Sequence, residues 1–252
     1  DFYNEYYKDF QICQDSEDVN LLRYLNNIGD ELMEIQVISN VEISNKITAL
    51  KKEISIFSEY EAKERFRDAG IPVPHGVLIS SPQEAVSALE TLSSSVILKA
   101  QVPVACRRKA GGILPATPDT AEETARQLFS REIKGFPVAK ILMEEKLSIR
   151  QSYYLSITRI RSQALLLFCV LEGSGFSEYA DLHPESVRRV FVDATSPELG
   201  MEDIRALCGS APEEVCSIFR NLYHIFQEET ALLVEINPLA ETETGFVAVD
   251  GK

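Results

Sequence analysis

Near the end of the chain stand three side chains whose oxygens could hold a hard cation. Two short apolar runs, residues 231–236 and 246–249, are separated by a proline and a Glu/Thr-rich stretch that closes on a glycine. That is the pattern of two neighbouring strands. Glu235 and Asn237 sit at the end of the first run, and Asp250 just past the second. Antiparallel pairing would bring their oxygens to one end of the hairpin. Two carboxylates and an amide oxygen suit Mg²⁺, which takes few protein ligands and completes its shell with water and phosphate. The same residues also fit a strand–turn–strand edge with solvated acids, the commoner fate of Asp and Glu.

A second group is basic. Residues 96–98 are an apolar, β-branched run ending in Lys99, and the segment QVPVACRRKAGGI follows, with Arg107, Arg108 and Lys109 ahead of Gly111 and Gly112. On residue types alone this is a basic surface loop between two strands. The three histidines, His75, His183 and His224, have no Cys, Ser or second His at a diagnostic spacing. None is assigned a catalytic role.

The elements that would position these groups alternate between helix and strand. Ser58 is a plausible N-cap, and Glu61 three residues on completes a capping box; the helix is expected to run to Ala69 and stop at Gly70, with Pro72 soon after. A short strand over 77–79 follows. Ser81 and Pro82 open a further helix, proline suiting the first helical position. Residues 118–131 read as a helix, and 139–143 as a strand with Glu144 and Glu145 at its end. Two apolar strands, 151–160 and 164–171, are joined by a turn and suit the centre of an antiparallel sheet. The clearest helix is 213–229, where Val215, Ile218, Phe219, Leu222, Ile225 and Phe226 form one stripe that packs on a sheet.

Residues 1–53 differ from the rest. Leu21, Leu22, Leu25, Ile28, Leu32 and Ile35 are spaced by three and four, and Ile43, Ile47 and Leu50 repeat the pattern weakly. Two helices are expected, a helical extension that packs on the main domain or on another copy of the chain, or else docks a partner. It holds 11 acidic and 5 basic residues. The whole chain has 252 residues, 45% of them hydrophobic, enough for one large or two small domains. Its net charge of −14 speaks against nucleic acid and anionic membranes as partners. No apolar run of membrane-spanning length and no signal peptide is seen. The five cysteines are widely spaced without a CxxC pair, which fits a cytoplasmic (or organelle-matrix) setting better than a disulfide framework or a zinc site.

The string VEINPL, followed after a short loop by VAVDGK, resembles the end of the ATP-grasp domain in the β-subunit of succinyl-CoA synthetase. Related ADP- or GDP-forming acid–CoA ligases and ATP-citrate lyase share that domain. The opening S-E-Y-E-A-K-E-x-F-x-x-x-G-I-P-V-P and the segment from Lys99 to Gly112 resemble the same family, in the same order, so that the likeness covers residues 54–252. It implies an α+β, ATP-grasp fold of two subdomains, a smaller one over about 74–140 and a larger one of 54–73 plus 141–252. It implies that ATP or GTP binds between them, with Mg²⁺ on Asn237 and Asp250 and with Lys99 on the phosphates. The family's glycine-rich basic loop maps onto Arg107, Arg108 and Lys109, its nucleotide-contacting Glu onto Glu144, and a main-chain contact onto Leu147. Ala105, Cys106 and Arg108 stand where the family has glycines, and Ser152 where it has an acid.

Two functions follow. The first is the nucleotide-binding part of an acid–CoA ligase, passing the γ-phosphoryl of ATP or GTP to a histidine on a CoA-binding partner subunit or domain. Because the chain stops at DGK, where the family continues into a ligase domain, it is not expected to complete an acid–CoA ligation alone. The second is a degenerate ATP-grasp module with weak or lost nucleotide binding, acting as a binding, regulatory or scaffolding subunit. The altered loop and Ser152 favour the second; Lys99, Asn237 and Asp250 favour the first.

Overall fold

The computed structural model describes residues 56–252 apart from 93–94, 105 and 174–175. The expected helical extension, Cys13 and the loop residue Ala105 therefore lie outside the described residues.

The first helix, α1 (Glu59–Asp68), starts as its sequence dictates. The Ser58 side chain accepts from the Glu61 N–H at 3.3 Å, and the Glu61 carboxylate accepts from the Ser58 N–H at 2.8 Å. Each bond satisfies a donor that the helix cannot. Gly70, at φ 75°, turns the chain out of it.

A four-stranded antiparallel sheet follows, of β1 (Gly76–Ile79), β2 (Val96–Ala100), β3 (Ile113–Ala116) and β6 (Ile141–Glu145) in the order β1-β6-β2-β3. Between its strands lie α2 (Glu84–Ala88), α3 (Ala121–Phe129) and a small hairpin, β4 (Glu132–Ile133) with β5 (Phe136–Pro137). One face of the sheet, through Val96, Leu98, Ala100, Ile141 and Met143, packs on Ala85, Ala88, Ala121, Ala125 and Leu128 of α2 and α3. Because successive strand residues alternate between faces, Lys99 and Glu144 point the other way.

The second sheet is five-stranded and antiparallel: β7 (Gln151–Ile160), β8 (Gln163–Leu171), β9 (Arg188–Asp193), β10 (Leu233–Thr242) and β11 (Gly245–Ala248), in the order β11-β10-β7-β8-β9. Helix α4 (Phe176–Leu182) and a 3₁₀ turn (Pro184–Ser186) precede β9; α5 (Met201–Cys208) and α6 (Glu213–Glu228) follow it. Helices α1, α5 and α6 cover one face, where Ala62, Phe66, Ile204, Phe219 and Phe226 meet Leu155, Leu166, Val234 and Ile236. The α6 stripe is core, as its spacing predicts, each large apolar side chain there contributing roughly 1.5–3 kcal/mol by burial. The other face packs Tyr154, Leu167 and Cys169 against Phe176 and Ala180 of α4.

Several boundaries differ from expectation. The third helix begins at Ala121 rather than 118, because the Thr117 N–H donates to Thr120 Oγ1 at 3.0 Å and closes a turn first. The second begins at Glu84, two residues beyond Pro82. Strand β6 runs to Glu145, so Glu144 is a ladder residue and not a strand-end acid. Strand β10 does not stop at Ile236: it continues through Pro238, where the register to β7 shifts, to Thr242. An irregularity of this kind is where a sheet accommodates proline, which has no N–H to give. No helix among the described residues is long and apolar enough to cross a membrane.

Candidate functional site

The basic segment and the C-terminal acids meet. Lys99, on the face of β2 opposite α2 and α3, places its Nζ 2.7 Å from both Glu59 Oε1 and Glu144 Oε2 and donates to the Val249 carbonyl at 2.6 Å. Arg107 Nη2 donates to Glu59 Oε2 at 2.6 Å and lies 3.0 and 3.3 Å from the two Asp250 oxygens, while its Nη1 donates to the Ala100 carbonyl at 3.0 Å. The loop is pinned to the strand it leaves, by Gly112 N–H to Arg107 O at 2.7 Å and Ala100 N–H to Gly112 O at 2.8 Å. Lys63 completes the group, donating to Glu59 at 2.8 Å, to Glu144 at 2.6 Å and to the Val249 carbonyl at 2.6 Å.

The result is three cations and three carboxylates drawn from α1, the four-stranded sheet and the end of the chain. Glu59, Lys63, Lys99 and Glu144 are 5% exposed or less, so their charges stand only because each is paired. Burial opposes ionisation of Glu59, but Lys99, Lys63 and Arg107 overcome it and hold its carboxyl well below the usual carboxylate range. Burial likewise opposes the Lys99 charge, yet Glu59, Glu144 and Asp250 raise its pKa above the usual lysine range. Arg107 is held above the usual arginine range against burial, by Asp250 and Glu59. For Lys63 burial prevails and lowers the pKa despite Glu59. Two glycines permit this approach. A Cβ on Gly76 would sit 2.7 Å from Glu144 Cγ, and one on Gly251 2.2 Å from the Phe66 ring.

The three expected metal-binding residues also converge, at the open end of the β10–β11 hairpin. The Asn237 N–H donates to the Asp250 carbonyl at 3.0 Å, and Glu235 and Lys252 exchange main-chain bonds at 2.8 and 2.9 Å. The Asn237 amide nitrogen donates to Glu235 Oε1 at 3.1 Å, which turns its oxygen away from Glu235. Burial raises the Glu235 pKa, with Lys252 and Asn237 opposing it less strongly. Among the described residues no cluster of three or more His, Cys, Asp or Glu is arranged as a metal site. A cation here would rest on the Asp250 carboxylate and an amide oxygen. Asp250 is already turned toward positive charge, that of Arg107, so its carboxylate fits that part.

The remaining expected residues lie nearer the surface. Arg108 and Lys109 are exposed on the turn after Arg107, and Leu147 is half-buried in the extended segment after β6. Ser152 is a β7 ladder residue between Ala240 and Leu171, without an acid's chemistry. Cys106 has φ 57°, a left-handed backbone of the sort a glycine adopts freely and a cysteine does not. The loop keeps a glycine's conformation without the glycine.

Glu59 and Lys63 are absent from the residues singled out by sequence. The signal for them is nevertheless there. With Ala62 and Phe66 they make up the buried stripe of α1 at spacings of three and four. Charges on the inward face of a helix need partners.

A family model described as the ATP-grasp domain matches residues 56–241, and the chain belongs to that family. It is 41% identical over 203 residues to the succinate–CoA ligase (ADP-forming) subunit beta of Ignicoccus hospitalis, an overlap of 76% of this chain and 53% of that one. With the Staphylothermus marinus subunit of the same name it shares 39% over 206 residues, 77% of this chain and 54% of the relative. The chain thus spans about half the length of the curated relatives it matches. Among solved structures it resembles the dinucleotide forming acetyl-coenzyme A synthetase 1 of Ca. Korarchaeum cryptofilum in complex with coenzyme A, Ca-AMPCP and HgCl+. The TM-score is 0.65 at 18% identity, covering 82% of this chain and 96% of that one. ATP citrate lyase from Methanothrix soehngenii gives a TM-score of 0.57 at 19% identity over 77% of this chain and 49% of the other. These two likenesses establish the fold, ATP-grasp, as the sequence resemblance implies.

Proposed function

We propose that this chain is the nucleotide-binding part of an acid–CoA ligase of the succinyl-CoA synthetase β type. It would bind ATP or GTP between a smaller subdomain, about 74–140, and a larger one, 54–73 plus 141–252. The γ-phosphoryl would pass to a histidine on a CoA-binding partner subunit or domain. The observation that carries this reading is the meeting of Lys99, Arg107 and Asp250: two permanent cations from the four-stranded sheet and its loop beside a carboxylate from the end of the chain. Phosphoryl transfer asks a protein chiefly to position the phosphates and neutralise their charge. Lys99 and Arg107 would bear on the phosphate oxygens, with Arg108 and Lys109 on the exposed turn adding positive charge. Glu144, within the β6 ladder, and the Leu147 main chain beyond the strand would meet the rest of the nucleotide. Asn237 and Asp250, with Glu235 orienting the amide, would hold Mg²⁺, which when bound supplies charge neutralisation on the phosphates.

A second reading rests on Cys106 and Ser152. A loop with a side chain at a left-handed position, and a sheet lacking one family acid, also describe a module kept for its surfaces. Calorimetric titration with ATP and with GTP, each with and without Mg²⁺, separates the two. Mg²⁺-dependent binding is the outcome expected of the ligase part; heat from neither nucleotide would establish the second reading.

A further inference from the structure

The ion pairs of the site join groups that the proposed nucleotide and metal would each need. Arg107 Nη2 is shared between Glu59 and Asp250, at 2.6 and 3.0 Å. The Asp250 Oδ1 that receives it also accepts the Gly251 N–H at 2.9 Å. The guanidinium is anchored behind by the Ala100 carbonyl, and its side chain is 10% exposed. It therefore sits where a cation on Asp250 would sit, the guanidinium itself little exposed and the Asp250 side chain 33% exposed.

We infer that Arg107 stands in for the metal at Asp250, so that a divalent cation gains this carboxylate only when a polyphosphate draws the guanidinium away. This rests on the metal and phosphate roles proposed above. Mg²⁺ binds carboxylate oxygen at about 2.0–2.1 Å. Placed on the Asp250 oxygens that face Arg107, it would bring like charges within a few ångströms of a guanidinium that is only 10% exposed, on the inner side of a carboxylate that is 33% exposed, and they would repel. The six side chains of the cluster balance as three positive and three negative, so an added divalent ion alone would leave an uncompensated double charge. A phosphate chain removes both obstacles. Its oxygens offer Arg107 a bidentate acceptor in place of Asp250, and its charge offsets that of the metal. Metal and nucleotide then enter as a unit, and the apo site refuses free metal without any moving lid.

The test is Mn²⁺ binding, followed by the electron paramagnetic resonance of the free ion, on the full chain with and without a non-hydrolysable ATP analogue. The wild-type chain alone is expected to bind Mn²⁺ at least tenfold more weakly than it does with the analogue. Arg107→Gln is expected to bind Mn²⁺ alone at least tenfold more tightly than wild type, and adding Asp250→Asn to it should abolish the gain. Tight Mn²⁺ binding by wild type in the absence of any nucleotide overturns the inference, and needs no variant to fold. So does a folded Arg107→Gln chain with no Asp250-dependent gain. If the variant gains Mn²⁺ while wild type takes up neither analogue nor metal, the stand-in role is upheld and it is the nucleotide reading that fails.

Discussion

Two glutamates near the site are both desolvated, Glu59 buried and Glu235 half-buried, and their pKa values move in opposite directions. Glu59 is desolvated, yet three neighbouring cations pull its pKa well below the usual range. Glu235 is desolvated too, but the groups that oppose the effect, Lys252, the Asn237 amide and Tyr154, bring a single cation and are outweighed, and its pKa rises. The difference lies in what each strand or helix brings into contact. Glu59 stands on a helix that faces β2, β6 and the basic loop; Glu235 stands on β10, opposite the small side chain of Ser156. Burial alone says nothing of a carboxylate's charge state until the nearby cations are counted.

Removing Glu59 should break this contrast most severely. Glu59→Ala leaves Lys63, Lys99 and Arg107 short of a partner, and a loss of about 3–5 kcal/mol is expected from denaturant unfolding, the range for one half of a buried pair. The double variant Glu59→Gln with Lys63→Met keeps the cluster neutral and should lose less than Glu59→Gln and Lys63→Met do together. Simple additivity in the same unfolding assay would refute the idea of a shared cluster.

Next in size is the pH response. Glu59 has its folded pKa lowered from 4.5, so the stability it contributes is present above that value and is lost as pH falls below it, where the unfolded chain takes up protons first. Glu235 behaves oppositely. Its folded pKa is raised from 4.5, so its contribution is full below that value and is lost as pH rises through the raised one. Thermal melts across the acid range should therefore show Glu59→Gln flattening the acid limb. Glu235→Gln should gain stability at neutral pH, by at most about 1 kcal/mol; a loss there would mean that the charged carboxylate is needed. The smallest effect is expected at Cys106, where Cys106→Gly relieves a left-handed side chain and should raise the free energy of unfolding by about 1 kcal/mol or less, read from denaturant unfolding.

Much of this was legible in the residues. The Ser58–Glu61 capping box and the α6 stripe are local patterns, and both appear as expected. The convergence of Glu235, Asn237 and Asp250 follows from strand pairing alone. Other elements were not legible, for stated reasons. Helices Phe176–Leu182 and Met201–Cys208 are short, and neither shows a long apolar period. Strand β10 passes through Pro238, a residue that local reading treats as a stop. The charge cluster was hidden for a different reason: its members lie far apart in sequence, from Glu59 to Asp250, and only the packing of the two sheets on α1 brings them together.

The first helix joins those sheets in a manner with a further consequence. Its apolar residues Ala62 and Phe66 belong to the core of the five-stranded sheet, while Glu59 and Lys63, on adjoining turns, grip Lys99 and Glu144 of the other. Phe66 also carries Gly251, next to Asp250. Ten consecutive residues thus tie the two sheets to each other, much as a dowel aligns two boards. An insertion of one residue within α1 would turn that stripe by about 100°. The apolar and ionic halves would no longer address their two sheets at once, although no strand among the described residues would itself be altered.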